Sequence, residues 1–332
     1  MKVLRNALLS RLESVAMAVS ASAGLEQSDH FAFSKGRVFT FNDEVFCSTR
    51  SELDLEGAVE AEKLLNLLRK MDEDEIEIGQ SDGEVIIKGK DRRRAGIRLE
   101  AKITLPVEGV ENPGEWHPLP AGFREAVQVC SSVVGRDRSR FILTCIHLHP
   151  EWIEATDQFQ ILRHPLATGL EKPMLVRGSA MADIAKSEVV EFAESAEWLH
   201  FRAKDGPTFS CRRYGQKFPE LSRFLEVDGV EMKLPDELAA ETSRASVFIE
   251  PEGSMTVELR PGRMRLTGRG QSGWYSKVSD CNYAGDSLKF LIAPKLLADI
   301  ANRGQKVVVA EGRIKVATDG WTYVTCTGKA DD

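Results

Sequence analysis

Three stretches decide the fold of this chain: VEAEKLLNLLRKMDEDEI at Val59–Ile76, LVRGSAMADIAKSEVVEF at Leu175–Phe192 and LIAPKLLADIANRGQKVV at Leu291–Val308. Laid under one another, they keep four apolar columns in register without a gap. Val59, Leu175 and Leu291 form the first column, and Leu65, Met181 and Leu297 the second. Leu68, Ile184 and Ile300 form the third, and Ile76, Phe192 and Val308 the fourth; the step between copies is 116 residues. A repeat of this length means one structural unit used three times in tandem.

Working outward, each copy gives the order helix, strands, helix, strands. The middle copy is clearest. Leu119-Pro120 opens a helical stripe of Phe123, Ala126, Val127 and Cys130. Alternation over Phe141–His149 and Trp152–Ile161 predicts strands. A second helix runs from Gly178 to Lys186, then strands at Val189–Ala193 and Trp198–Lys204, with a turn at Asp205-Gly206-Pro207. The first copy starts with a helix bearing Leu4, Leu8, Leu12, Val15 and Val19. Its second helix is Glu62–Met71, followed by strands at Glu75–Ile78 and Val85–Lys88 about an Asp82-Gly83 turn. The third copy begins at Leu234-Pro235; its second helix is Pro294–Asn302, with strands at Lys306–Ala310 and Ile314–Ala317. The expected fold class is α+β, with helices on one face of antiparallel sheets. The expected domains are 1–112, 113–228 and 229–332, joined by linkers near Val107–Pro118 and Glu226–Lys233.

The composition is that of a soluble globular protein: 332 residues, 42% hydrophobic, 29% charged. Its apolar runs are too short to span a bilayer, and the N-terminus lacks the pattern of a signal peptide, so we expect a cytoplasmic protein with no membrane partner. The six cysteines, at 47, 130, 145, 211, 281 and 326, are scattered and read as reduced thiols. The net charge of −7 argues against a generally basic nucleic-acid binder. Several helical segments nonetheless have the opposite balance. Residues 2–20 hold Lys2, Arg5 and Arg11 against Glu13; residues 60–71 hold Lys63, Arg69 and Lys70 against Glu60 and Glu62. Residues 177–186 hold Arg177 and Lys186 against Asp183, and 293–306 hold Lys295, Arg303 and Lys306 against Asp299. Two segments do not follow: 120–134 is neutral and 235–246 is acidic.

The threefold helix–strand tandem resembles the bacterial-type replicative DNA sliding clamp, the DNA polymerase III beta subunit family. Two local motifs agree with it: Glu154-Ala155-Thr156-Asp157, and Arg213-Tyr214-Gly215-Gln216-Lys217-Phe218-Pro219-Glu220. The entry to the penultimate helix, Phe290–Ile300, agrees as well. The resemblance implies a homodimer closed head-to-tail into a six-domain ring that encircles duplex DNA and tethers a polymerase. On that reading Arg5, Arg11, Lys63, Arg69, Lys70, Arg136, Arg138, Arg177, Lys186, Lys295, Arg303 and Lys306 would meet phosphates without reading sequence. The tract Lys88-Gly89-Lys90-Asp91-Arg92-Arg93-Arg94 reads as a solvated turn, or as a second contact with incoming DNA.

The resemblance also implies a pocket that takes short peptides from the polymerase and the clamp loader. The matching positions are Arg140, Leu143, Thr156, Gln158, Phe159, Ile161, Pro219, Arg223, Phe224, Val324 and Cys326. Gln158-Phe159 replaces the family's Gly-His, and Thr325–Asp332 lacks its methionine- and proline-rich end. Such divergence would suit a clamp encoded by a virus for its own polymerase; the cell would be bacterial in either case. Val247 and Phe248 match the family's ring-closing pair, with the alternation Leu99, Ala101, Ile103 and Leu105 as an edge strand opposite.

Chemistry for an enzyme is missing from the sequence. There is no phosphate-binding Gly-x-x-x-x-Gly-Lys-Ser/Thr loop and no Gly-x-Ser-x-Gly. His147-x-His149 is too few ligands for a metal site, and Asp157 and Asp319 read as turn caps. We therefore expect no catalytic residues, no metal and no cofactor. The alternative function is a monomeric three-domain scaffold that binds proteins without encircling DNA.

Overall fold

The computed structural model describes residues 1–20, 24–204 and 206–330. The fold is α+β. Its α-helices are α1 (Arg5–Val15), α2 (Ala61–Lys70), α3 (Phe123–Ser131), α4 (Gly178–Ile184), α5 (Ser222–Leu225), α6 (Leu238–Ser246) and α7 (Pro294–Arg303). The strand ladders around them are antiparallel. No helix of the described residues is long and apolar enough to cross a membrane.

The repeat is visible in the elements. α2, α4 and α7 each follow a strand (Gly57–Glu60, Met174–Arg177, Leu288–Ile292) and lead into another (Glu75–Ser81, Val189–Glu194, Lys306–Ala310). The helical columns hold in all three copies: Leu65, Met181 and Leu297 are buried, as are Leu68, Ile184 and Ile300. The strand columns hold in two. In the third, Leu291 and Val308 are only half-buried, and their neighbours Phe290, Ile292, Val307 and Val309 face the core. A strand alternates with period two, so one residue of slip exchanges the faces.

The chain forms two compact units, residues 1–128 with 171–216, and residues 129–170 with 217–332. The first is built on Phe31, Phe33, Phe41, Leu12, Leu64, Leu68 and Trp198, all fully enclosed. The expected linker Val107–Pro118 is tied into it. Val107 and Val110 pack against the core cluster that includes Ala32, Phe41 and Trp198, and the Trp198 indole donates to the Gly109 carbonyl at 3.1 Å. His117-Pro118 pairs with the strand Val189–Glu194. The other expected linker is likewise ordered, because Val230–Lys233 pairs with Lys306–Ala310 in the second unit.

Four sequence expectations need correction. Leu4 is exposed and outside the first helix, because Lys2–Leu4 is drawn into a ladder with Glu75–Glu77; Val19 lies beyond the helix end. Phe141–Thr144 is not strand: Arg138–Thr144 is 3-10 helix and the strand starts at Cys145. Trp152–Ile161 is two strands, Trp152–Thr156 and Gln160–Pro165, folded about a three-residue turn. The strand expected at Leu99–Leu105 is Arg94–Glu100 instead. Of the Asp205-Gly206-Pro207 turn, Asp205 lies outside the described residues.

In the second unit, α6 and the residues after it lie directly on the strand Arg263–Gly270. A Cβ at Gly268 would collide with the Ala245 carbonyl, and one at Gly270 with the Phe248 carbonyl. Backbone atoms cannot yield cheaply, so glycine is required for this approach. We predict that Gly268→Val lowers stability by more than about 2 kcal/mol. Gly79→Ala, where a Cβ meets open space, should stay within about 1 kcal/mol of wild type. Thermal unfolding of the two variants side by side checks this.

Candidate docking site and basic surfaces

All eleven residues of the expected peptide site fall in the second unit. Its best-defined part is the turn Asp157-Gln158-Phe159. Asp157 Oδ1 accepts from the Phe159 and Gln160 amides, each at 3.0 Å, and Oδ2 accepts from the Gln160 side chain at 2.8 Å. Asp157 is thus a turn cap. The Thr156 hydroxyl donates to the Gln160 carbonyl at 2.7 Å and accepts from the Gln158 amide at 3.2 Å. Gln158 has φ of 89°, a conformation that favours glycine, so the replacement noted above adds strain at this turn. The turn holds Phe159 59% exposed at the surface. It is thus an exposed apolar side chain on a turn fixed by its own hydrogen bonds.

The C-terminal strand Thr322–Cys326 locks this turn from one side. Ile161 pairs with Val324, and Gln160 with Thr325. The Phe159 carbonyl accepts from the Cys326 amide at 2.8 Å and the Thr325 hydroxyl at 3.1 Å. Beneath it, the buried Tyr323 hydroxyl donates to Gln160 Oε1 at 2.9 Å. α5 packs on the same C-terminal strand. It carries Arg223, whose guanidinium lies 4.7 Å from the Phe224 ring, while Arg313 lies over that ring at 5.6 Å. Thr156, Phe159, Ile161, Val324, Cys326, Arg223 and Phe224 therefore share one sheet end. Arg140 is exposed and Leu143 half-buried on the 3-10 stretch, and Pro219 is exposed beside buried Phe218.

The two histidines have structural partners. His147 Nδ1 lies 2.7 Å from Glu154 Oε1 and its ring stacks on Phe218; His149 stacks on Trp152 with centroids 3.5 Å apart. Among the described residues, no group of three or more His, Cys, Asp or Glu side chains could hold a metal.

The basic residues divide into three sets. Arg177 is buried against Glu44 at 3.2 Å; Arg5 donates to the Leu68 and Glu73 carbonyls at the end of α2. Arg303 donates to the Ser132 hydroxyl and stacks on Tyr323 at 4.7 Å. These three are engaged by partners within the fold. Arg11, Lys63, Arg69 and Lys186 lie in surface ion pairs with Glu52, Glu60, Glu13 and Asp183, each worth little and easily exchanged. Lys70, Arg136, Arg138, Lys295 and Lys306 are exposed and form no ion pair among the described residues.

At the expected ring-closing surfaces the outcome is uneven. Val247 is 75% exposed at the end of α6, and Phe248 is half-buried with its ring over Gly273. Leu99 pairs with Val59 and is buried; Ile103 packs on the core near Trp198, leaving Ala101 exposed. Leu99–Ile103 therefore offers no apolar edge. Sequence reasoning missed Trp274 and Val278, 60% and 47% exposed on Gly273–Asp280, a strand that pairs on one side only among the described residues. Their alternation with Ser276 was the available signal.

No protein-family model matches the chain, and no curated protein matches it. Solved structures match along its whole length. The sliding clamp of Pseudomonas aeruginosa aligns with TM-score 0.85 at 16% identity, over 99% of each chain. The clamp of Bartonella birtlesii, in a structure bound to griselimycin, gives 0.87 at 14%, again over 99% of each. The clamp of Bacillus subtilis gives 0.83 at 14% over 99% of each. This chain has the bacterial sliding-clamp fold. The clamp fold accounts for the repeat that the three quoted stretches carry.

Cysteine chemistry offers a direct check on this geometry. Cys326 is exposed beside the Phe159 turn and Cys281 half-exposed, whereas Cys47, Cys130, Cys145 and Cys211 are buried. Burial pushes the Cys47 thiol up to about 12 and raises Cys130 and Cys211 as well; partial burial also raises Cys326. Since the thiolate is the reactive form, we predict slow alkylation at neutral pH that accelerates with rising pH. Modification of Cys326 and Cys281 should precede any at the other four, as read by mass spectrometry of the intact protein.

Proposed function

We propose that this chain is a DNA polymerase processivity clamp, a binding protein and not an enzyme, that needs no cofactor. Two copies close head-to-tail into a six-domain ring built from repeats 1–112, 113–228 and 229–332. The ring encircles duplex DNA and holds it by phosphate contacts that do not depend on sequence. Polymerase and clamp loader dock through short peptides on the Phe159–Phe224 surface, in the cytoplasm of a bacterium or of a bacterium infected by a virus. The observation that carries this reading is the alignment of 99% of the chain with 99% of the Pseudomonas aeruginosa clamp at TM-score 0.85.

The chemistry of the site is consistent with it. Phe159, Ile161 and Phe224 would take hydrophobic anchors while Arg223 and Arg140 meet an acidic flank. The exposed Lys70, Arg136, Arg138, Lys295 and Lys306 supply positive charge on an acidic body. For ring closure, Val247, Trp274 and Val278 form an exposed apolar set around an open strand edge, which calls for a partner.

Solution mass tests the assembly. Wild type should sediment at twice 36.9 kDa at micromolar concentration. Val247→Arg and Trp274→Glu, both at exposed positions, should give folded monomers. A wild-type monomer would instead favour the scaffold that does not encircle DNA.

A further inference from the structure

We propose that Arg163 is a positioning residue for the client site: it fixes α5, and so Arg223 and Phe224, by bridging Ser222 to the buried carboxylate of Glu154. The proposal rests on reading that surface as a peptide-binding site.

Glu154 lies on the strand Trp152–Thr156 and is 2% exposed. A buried carboxylate is tolerated only with full compensation. His147 Nδ1 meets Oε1 at 2.7 Å, and Arg163 gives Nε and Nη2 to Oε2 at 2.8 and 2.7 Å. Arg163 also lies over the Trp152 ring at 4.5 Å, which restricts its swing. One guanidinium nitrogen, Nη1, is left over, and it donates to the Ser222 hydroxyl at 3.1 Å.

Ser222 is the first residue of α5. This helix has four residues and no side-chain cap at Leu221. One turn of helix is not stable by itself, so its place is set by what it touches. Leu221 is buried beneath it, and its Phe224 lies under Arg313. Upstream, Phe218 is stacked by His147, the other partner of Glu154. Glu154 thus anchors the segment Phe218–Ser222 at both ends, through a ring stack and through an arginine fork. Arg163 is only slightly exposed and on this geometry never meets a client; its effect reaches a client only through α5.

The test is fluorescence polarisation with the full protein and a fluorescein-labelled octapeptide carrying two leucines, a phenylalanine and a glutamate. Ser222→Ala removes one surface hydroxyl and leaves the Glu154–Arg163 pair intact; it should weaken binding roughly threefold, the scale of one net hydrogen bond. Arg163→Lys keeps the charge but loses the fork, and should cost about tenfold. The discriminating readout is the double-mutant cycle. In an Arg223→Ala/Phe224→Ala background both losses should shrink below about twofold, because the residues that α5 presents are gone. In a Phe159→Ala background they should persist at full size. Equal losses in the two backgrounds, or no loss from either single variant, would overturn the assignment. If wild type itself fails to bind the octapeptide, the client-site reading fails first and this proposal with it.

Discussion

Burial of two apolar columns on α2, α4 and α7 is the constraint on which the rest of the structure depends. Leu65 and Leu68, Met181 and Ile184, and Leu297 and Ile300 each lie three residues apart, on one helical face. Each is buried, and each contributes roughly 2 kcal/mol by leaving water. They fix which face of each helix turns inward, and therefore which face is left for the charged residues. They also fix where the flanking strands enter and leave each helix.

This is why the fold was legible in the sequence and why its details were not. A helical face tolerates a shift of one residue poorly at a three-residue spacing, so the columns survive. A strand column survives only if no residue is gained or lost in the preceding connection; Leu291 and Val308 show the consequence. The other misreadings share one cause. Leu4, Phe141 and Leu99–Leu105 all look like parts of periodic runs, but tertiary hydrogen bonding ended or displaced each run. At Leu4 the ladder with Glu75–Glu77 took the backbone, and at Phe141 a 3-10 stretch ran on to Thr144.

The site was half legible. Thr156, Phe159, Ile161, Arg223, Phe224, Val324 and Cys326 were placed by resemblance and share one sheet end. What could not be read were the partners that hold them: Gln160, Tyr323, Glu154, Arg163 and Ser222. These act through contacts up to 163 residues apart in sequence, and single-sequence periodicity carries no such information. Charge was less legible still. Arg5, Arg177 and Arg303 counted toward basic segments, yet each is committed to the fold. Were DNA held by charge alone, contacts to phosphates would weaken steeply with salt.

A ring that encloses DNA does not need strong contacts, and that is the central claim. Its most direct test is gel filtration of the protein loaded on nicked circular plasmid by a clamp loader, before and after a single cut that linearises the DNA. Topological enclosure predicts retention on the circle and loss from the cut molecule, because a closed ring slides off an end. Equal retention on both forms would contradict the account and leave ordinary surface binding in its place.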